Sequence, residues 1–340
     1  MSYAAPESYS ESKISINASN LDNIVSLISD EMHEVDVQIK RRLSSDIVLI
    51  NSLSAYIINS GGKRLRPVML LLSARACSEH QGSEVLLAAV IEFIHTATLL
   101  HDDVVDASEM RRGNATANSV WGSEASVLVG DFLYSRAFEM MVETNQMDVM
   151  RIMAETTNRI AEGEVLQLLN AHEPKTNEPQ YLETITRKTA KLFESAGQLG
   201  AIAAGADIAI QDALANYGLH LGIAFQIVDD LLDFSQTTES MGKNQGDDLS
   251  EGKPTLPMIH AMQHATAVQR ELIENAIRNG DRTKFTDVAK IIESTGSLAY
   301  TSSRAREEAE LAKNALSALP LSEYRQALSD LADFSVARTY

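Results

Sequence analysis

The sequence predicts an all-α fold, a single-domain bundle of ten or more helices. Three observations lead there. Apolar residues recur at three- and four-residue spacing, period-two runs of β-branched residues are nearly absent, and aromatics make up only 5% of the chain. With 340 residues, 44% of them hydrophobic, the chain can bury a substantial core.

The elements follow in order. Residues 1–18 belong to a Ser-rich stretch, MSYAAPESYSESKISINASN, with no apolar segment. It reads as an N-terminal tail ahead of one domain over 19–340, and as neither a signal nor a transit peptide. GGKRLRP at 61–67 sets three basic side chains behind two glycines, with Pro67 suited to the first turn of a helix. A long helix is expected over 83–106, with Ser83 as N-cap and Glu84 in the first turn. Further helices are expected over 123–143, 147–169, 181–204 and 207–235, with HEPKTNEPQ at 172–180 as a loop. The runs 83–106 and 207–235 are apolar almost all round, which places them at the centre. Glu92, His95 and the aspartates interrupt the best candidate for a membrane span, so none is expected.

The formal net charge of −18 argues against nucleic acid or an anionic membrane as main partner. The single cysteine, Cys77, excludes an intrachain disulfide and a Cys-based metal cage, and fits a reducing, cytoplasmic setting.

One local pattern repeats. DDVVD at 102–106 returns as DDLLD at 229–233, each near the end of a long apolar run. Asp102 and Asp106, like Asp229 and Asp233, stand at i and i+4 on one helical face, with Asp103 and Asp230 about a quarter-turn away. Like charges one turn apart repel, so protonation, arginine or a cation must offset them. Solvated helix ends would explain either motif alone; two copies with one spacing weigh against that. All-oxygen donors suit a hard cation, and Mg²⁺ keeps waters and bridges to phosphates. Lys63, Arg64, Arg66, Arg111, Arg112, Lys188, Lys243 and Lys253 supply positive charge beside glycine-rich or acidic stretches. Singly each is an ordinary surface charge. Together with the acids they suggest a site for two phosphorylated ligands, one held through metal and one held directly.

GGKRLRP, LLHDDVVDASEMRRG, KTAKLF, FQIVDDLLDF, GKNQGDDL and GKPTLP stand in the order and spacing of the trans-type polyprenyl diphosphate synthases. The chain resembles that family from about residue 20 onward, most closely the bacterial octaprenyl enzymes of ubiquinone synthesis. The resemblance implies an isoprenoid synthase-like bundle around a central cavity, a homodimer, and two to three Mg²⁺ ions per site. It implies repeated condensation of isopentenyl diphosphate with an allylic diphosphate such as farnesyl diphosphate. Membrane contact would be limited to transient product release.

Residue by residue, it implies Asp102, Asp106 and Asp229 as Mg²⁺ ligands, with Asp103, Asp230 and Asp233 as supporting acids. Lys63, Arg66, His95 and Arg112 would hold isopentenyl diphosphate. Arg111, Lys188, Thr189, Gln226 and Lys243 would face the allylic diphosphate. Several family members carry Gln-x-x-Asp near 164–168; this chain has Glu164 and Gln167, for which packing is the expectation. Ala97 and Thr98 stand where short-chain members place a bulky aromatic, which implies a long product in a tunnel along 83–106. Phe132, Phe138 and Met141 are candidates for its floor. A terpene cyclase would not need the GGKRLRP site. A non-catalytic subunit of a heteromeric synthase is the alternative, although such subunits tend to lose their acidic motifs.

Overall fold

The computed structural model describes residues 21–59, 62–77, 82–111, 113–235 and 246–337; the 1–18 tail, Arg112 and Lys243 lie outside them. A helical stretch at 21–26 leads into α1 (Ser29–Leu43), followed by α2 (Val48–Asn59), α3 (Leu65–Ala76) and α4 (Glu84–Val105). A two-stranded antiparallel hairpin comes next, β1 (Met110–Arg111) and β2 (Asn114–Ala115), in the register Met110 to Ala115. Its strands are too short to leave a periodic signal, and the sequence does not announce them. Then come α5 (Ala117–Trp121), α6 (Ser123–Glu143), α7 (Met147–Asn170) and α8 (Glu178–Ile185).

A π-helical turn, Thr186–Ala190, joins α8 to α9 (Lys191–Ala203), so the helix expected over 181–204 is interrupted. The loop expected to reach residue 180 ends earlier. Asn177 and Gln180 form a reciprocal capping box and Pro179 sits in the first turn, so α8 starts at Glu178. The long helix α10 (Ile208–Asp233) starts at Asp207, whose side chain accepts from the Ile210 amide. The remainder is α11 (Asp247–Ser250), α12 (Leu256–His264), α13 (Ala267–Asn279), α14 (Phe285–Ser294), α15 (Ser297–Ala315) and α16 (Glu323–Ala337).

The two apolar runs hold the middle. Helix α4 packs on α3 and α6, and α10 lies between α9 and α15. Leu87, Val90, Ile91 and Ile94 of α4 and Leu214, Tyr217 and Ala224 of α10 are sealed from solvent. Close approach of α9 to α10 rests on Gly197 and Gly218, where a side chain would strike the facing backbone at Leu214 and Phe193. Ser83 stands at the N-cap of α4 and Glu84 in its first turn, as expected, although the Ser83 side chain makes no capping hydrogen bond. Helix α4 does have the length and composition to cross a bilayer, despite its interrupting charges. Here much of it is buried in the bundle, the ordinary place for such a helix.

Candidate active site

Both aspartate motifs close a central helix. Helix α4 ends at Val105, with Asp106 as its C-cap, and α10 ends at Asp233. Contacts from the first motif lead to the second and to the segment that follows it. Lys188 Nζ stands 3.5 Å from Asp102, while its neighbour Thr189 donates to the Gln226 side chain at 2.9 Å. Gln226 in turn donates to Asp230 at 2.8 Å. On the other side Lys253 pairs with Asp106 at 3.0 Å, and its backbone amide donates to Asp248 O at 2.8 Å. The acidic turns therefore face one site.

Each acid has its own environment. Asp103 is buried and receives Arg111 through Nε at 2.8 Å and the guanidinium Nη2 at 2.7 Å. Burial pushes its carboxyl up and Arg111 pulls it back. Arg111 reaches it because the hairpin folds back over the end of α4. Asp230 is buried too, and Tyr181 donates its hydroxyl to it at 2.6 Å. Burial pushes Asp230 up to about 7 against the hydrogen bonds of Tyr181 and Gln226. Asp233 accepts from the amides of Gly246 and Asp247 at 3.1 and 3.3 Å. Asp102 and Asp106 are more open, with side chains 15% and 18% exposed, and Asp229 is half-buried. Among the described residues no three His, Cys, Asp or Glu side chains form a ready-made metal cage.

Several of these partners were not foreseen. Glu164, expected to pack, accepts from Lys188 Nζ at 2.6 Å and belongs to the site. Burial and the Asp102 charge push it up to about 7, against the pull of Lys188. Burial works against the Lys253 ammonium, yet Glu251 at 2.5 Å and Asp106 raise its pKa. Tyr181 and Asp248 also enter unannounced. Gly163 and Gly222 flank the π-turn, where a Cβ would lie 2.5 Å from Lys188 N and 2.6 Å from the Ala190 Cα. Such turns recur at functional sites. This one sets Lys188 and Thr189 side by side.

The basic segment lies nearby. Arg66 stacks over the Phe193 ring at 4.2 Å, and Phe193 packs at 5.5 Å on Phe225, the residue before Gln226. Lys63 is exposed, 5.2 Å over the Phe334 ring of α16. Arg64 turns away to pair with Asp36 of α1. His95 is half-buried on α4, and its carbonyl accepts from Thr98. Ala97 is fully buried. A cavity further back along α4 is lined by Ile39, Leu43, Ile57, Phe93, Thr96 and Leu133, among others. Phe132, Phe138 and Met141 do not line it. Phe132 lies under Arg136, Phe138 stacks on Tyr134, and Met141 is sealed in the core.

The family model for polyprenyl synthetase matches residues 47–295. The chain belongs to the polyprenyl synthetase family. It is 50% identical over 322 residues to the octaprenyl diphosphate synthase of Haemophilus influenzae, covering 94% of this chain and 98% of that one. It is 45% identical over 317 residues to the geranyl-diphosphate-specific all-trans-nonaprenyl-diphosphate synthase of Rhodobacter capsulatus, covering 93% and 97%. Among solved structures, a Caulobacter crescentus polyprenyl synthase complexed with calcium and isoprenyl diphosphate superposes with a TM-score of 0.91. It shares 46% identity, over 94% of this chain and 98% of that one. The chain is a long-chain trans-polyprenyl diphosphate synthase with the isoprenoid synthase-like fold.

Proposed function

We propose that this synthase extends farnesyl diphosphate with isopentenyl diphosphate to octaprenyl diphosphate, the side-chain precursor of a quinone. One observation carries the reading of the site: Lys188 stands against Asp102 while its neighbour Thr189 donates to Gln226, which donates to Asp230, so DDVVD and DDLLD are linked through one segment. The product length rests on the 50% identity to octaprenyl enzymes.

The donor set fits Mg²⁺. Asp102, Asp106 and Asp229 offer only oxygen, and the ammonium groups of Lys188 and Lys253 already stand against the first two, so positive charge is accommodated there. Two or three such ions, held by these acids and by the allylic diphosphate, would act as Lewis acids on the leaving group. Asp103, Asp230 and Asp233 brace the ligands through Arg111, Tyr181 and the 246–247 amides. Lys188, Thr189 and Gln226, with Arg111 and Lys243, face the allylic diphosphate. Lys63, Arg66, His95 and Arg112 hold isopentenyl diphosphate. Fixed charges around the departing diphosphate stabilise charge as the allylic C–O bond breaks, at no cost in reorganisation. The isopentenyl double bond then attacks the allylic carbon, and the proton lost from the adduct passes to the released diphosphate. Holding both substrates at one end of the bundle supplies the orientation.

Residues 19–340 act as one catalytic domain, working in the cytoplasm as a homodimer. Exposed Val127 and Leu128 on α6 and Val165, Leu168 and Leu169 on α7 support association of two copies. Incubation of the purified chain with Mg²⁺, farnesyl diphosphate and excess isopentenyl diphosphate should give octaprenyl diphosphate by mass analysis. Asp102→Asn should reduce turnover at least about a hundredfold, in the range of losing one charge-stabilising group. No incorporation of isopentenyl units by the chain alone would favour the partner-subunit reading.

A further inference from the structure

Lys253 owes its place beside Asp106 to a residue that touches neither. His172, just after α7, has a φ of +62°, in the left-handed region that side chains other than glycine adopt seldom and at a cost. Two hydrogen bonds accompany that conformation. The His172 amide donates to the Gly252 carbonyl at 2.8 Å, and ring Nδ1 lies 3.2 Å from the Ile277 carbonyl. A carbonyl only accepts, so Nδ1 carries the hydrogen. Between these anchors the ring closes over Gly252, where a Cβ would fall 2.3 Å from Nδ1 and 2.5 Å from Cε1. Gly252 is buried with a φ of +66°, so both its backbone and its missing side chain are needed there.

The clamped turn carries the next residue to the site. The Gly252 amide donates to Leu249 O at 3.1 Å and the Lys253 amide to Asp248 O at 2.8 Å, which binds 248–253 into one unit. Lys253 leaves that unit with its ammonium 3.0 Å from Asp106. The other end of the clamp is fixed as well. The Ala171 amide closes α7 on Gln167 O at 2.9 Å, and the Asn170 side chain donates to Thr184 of α8 at 3.1 Å. Helix α7 thus governs both lysines at the first acidic motif. Its Glu164 holds Lys188 beside Asp102, and His172 at its end holds the turn that sets Lys253 on Asp106.

We propose that His172 is a positioning residue for prenyl transfer, acting through the 248–253 turn to fix the Lys253 ammonium against Asp106. The proposal rests on the reading that this end of the bundle takes the allylic diphosphate. On that reading the Lys253 charge has to be in place before the allylic C–O bond breaks, because a preset charge stabilises the leaving group without reorganisation. The flexible four-carbon stem of lysine does not supply such precision; the backbone beneath it does. A misplacement of about 1 Å is enough to cost rate.

The test is steady-state kinetics of the full chain with Mg²⁺, farnesyl diphosphate and isopentenyl diphosphate, in His172→Gly, Lys253→Ala and the double variant. Glycine keeps the left-handed backbone and its amide bond while removing the ring, and the exposed position of His172 spares the core. His172→Gly should lower kcat at least about tenfold, as for other misplaced groups, with KM for isopentenyl diphosphate unchanged. In the Lys253→Ala background the same substitution should cost nothing further, since residues acting through one another are not additive. Wild-type kcat in His172→Gly, wild-type kcat in Lys253→Ala, or the full loss repeated on top of Lys253→Ala would each overturn the proposal. An inactive wild-type chain would instead remove the site reading, and the proposal with it. Should His172→Gly lose its helical circular dichroism, His172→Asn, which also tolerates that backbone region, is judged by the same outcomes.

Discussion

The hydroxyl of Tyr181 meets Asp230 at 2.6 Å inside the fold, and the bond governs how the second acidic motif is held. Asp230 was legible because DDLLD repeats DDVVD. Tyr181 was not, since it stands 49 residues away in the chain and no local pattern marks it. Glu164 escaped for the same reason: its partner Lys188 is 24 residues away. Tyr181→Phe leaves a buried acceptor short of a donor, a loss of about 1–3 kcal/mol. It should lower kcat roughly tenfold, the lower part of that range expressed as a rate, with little change in KM for isopentenyl diphosphate. Steady-state kinetics with unchanged kcat would separate Asp230 from catalysis. Cys77 offers a pH-dependent check remote from the site. Burial, with Asp207 adding to it, pushes the thiol up to about 11. In the unfolded chain it ionises near ~8.5, so the folded state keeps a proton that the unfolded state loses. Its contribution to stability is therefore present below about pH 8.5 and falls away as pH rises toward 11. At pH 8, maleimide should label native Cys77 about a hundredfold more slowly than the urea-unfolded chain.

At the scale of elements, the periodicity of 83–106 and 207–235 sufficed to place two central helices, because burial on all sides leaves few polar positions. The π-turn at Thr186–Ala190 is different. It interrupts the helical ladder without changing composition, so 181–204 reads as one helix although the backbone widens exactly where KTA must present two side chains. What maintains it lies on other helices. Gly163 on α7 and Gly222 on α10 admit the turn from two sides, and a methyl at Gly163 would meet Lys188 N at 2.5 Å. Backbone cannot yield as a side-chain tip can, so Gly163→Ala forces the turn away from α7 at about 1–3 kcal/mol. The displaced Lys188 would lose Glu164 and Asp102 together. Turnover should fall at least about tenfold, as expected for misplacement of positioned groups, while far-UV circular dichroism stays helical. Wild-type turnover in this variant would show that the turn's position is immaterial.

For the whole molecule, the decisive relation is between the acidic end of α4 and the apolar length behind it. On the proposed reading the diphosphate groups lie with Asp102 and Asp106, and a growing hydrocarbon would enter the interior side of the bundle. Ala97 is five residues before Asp102, about 8 Å along the helix, and Phe93 about 14 Å. Phe93 lines the cavity with Ile39 and Leu43 of α1 and Ile57 of α2. The small residue at 97 was legible in the sequence; the cavity walls were not, because α1 and α2 carry no motif and reach α4 only through tertiary packing. We propose that those walls end the path, since Phe132, Phe138 and Met141 do not line the cavity. Ala97→Phe would place a ring between the acids and the cavity. If a tunnel passes there, the ring occupies open path, the melting temperature holds within a few degrees, and products stop at farnesyl or geranylgeranyl length. If Ala97 is merely packed core, the added volume costs about 1–3 kcal/mol and the melting temperature drops while product length is unchanged. Chromatography of the dephosphorylated products beside a thermal melt distinguishes the two, and the second result would remove the tunnel along α4.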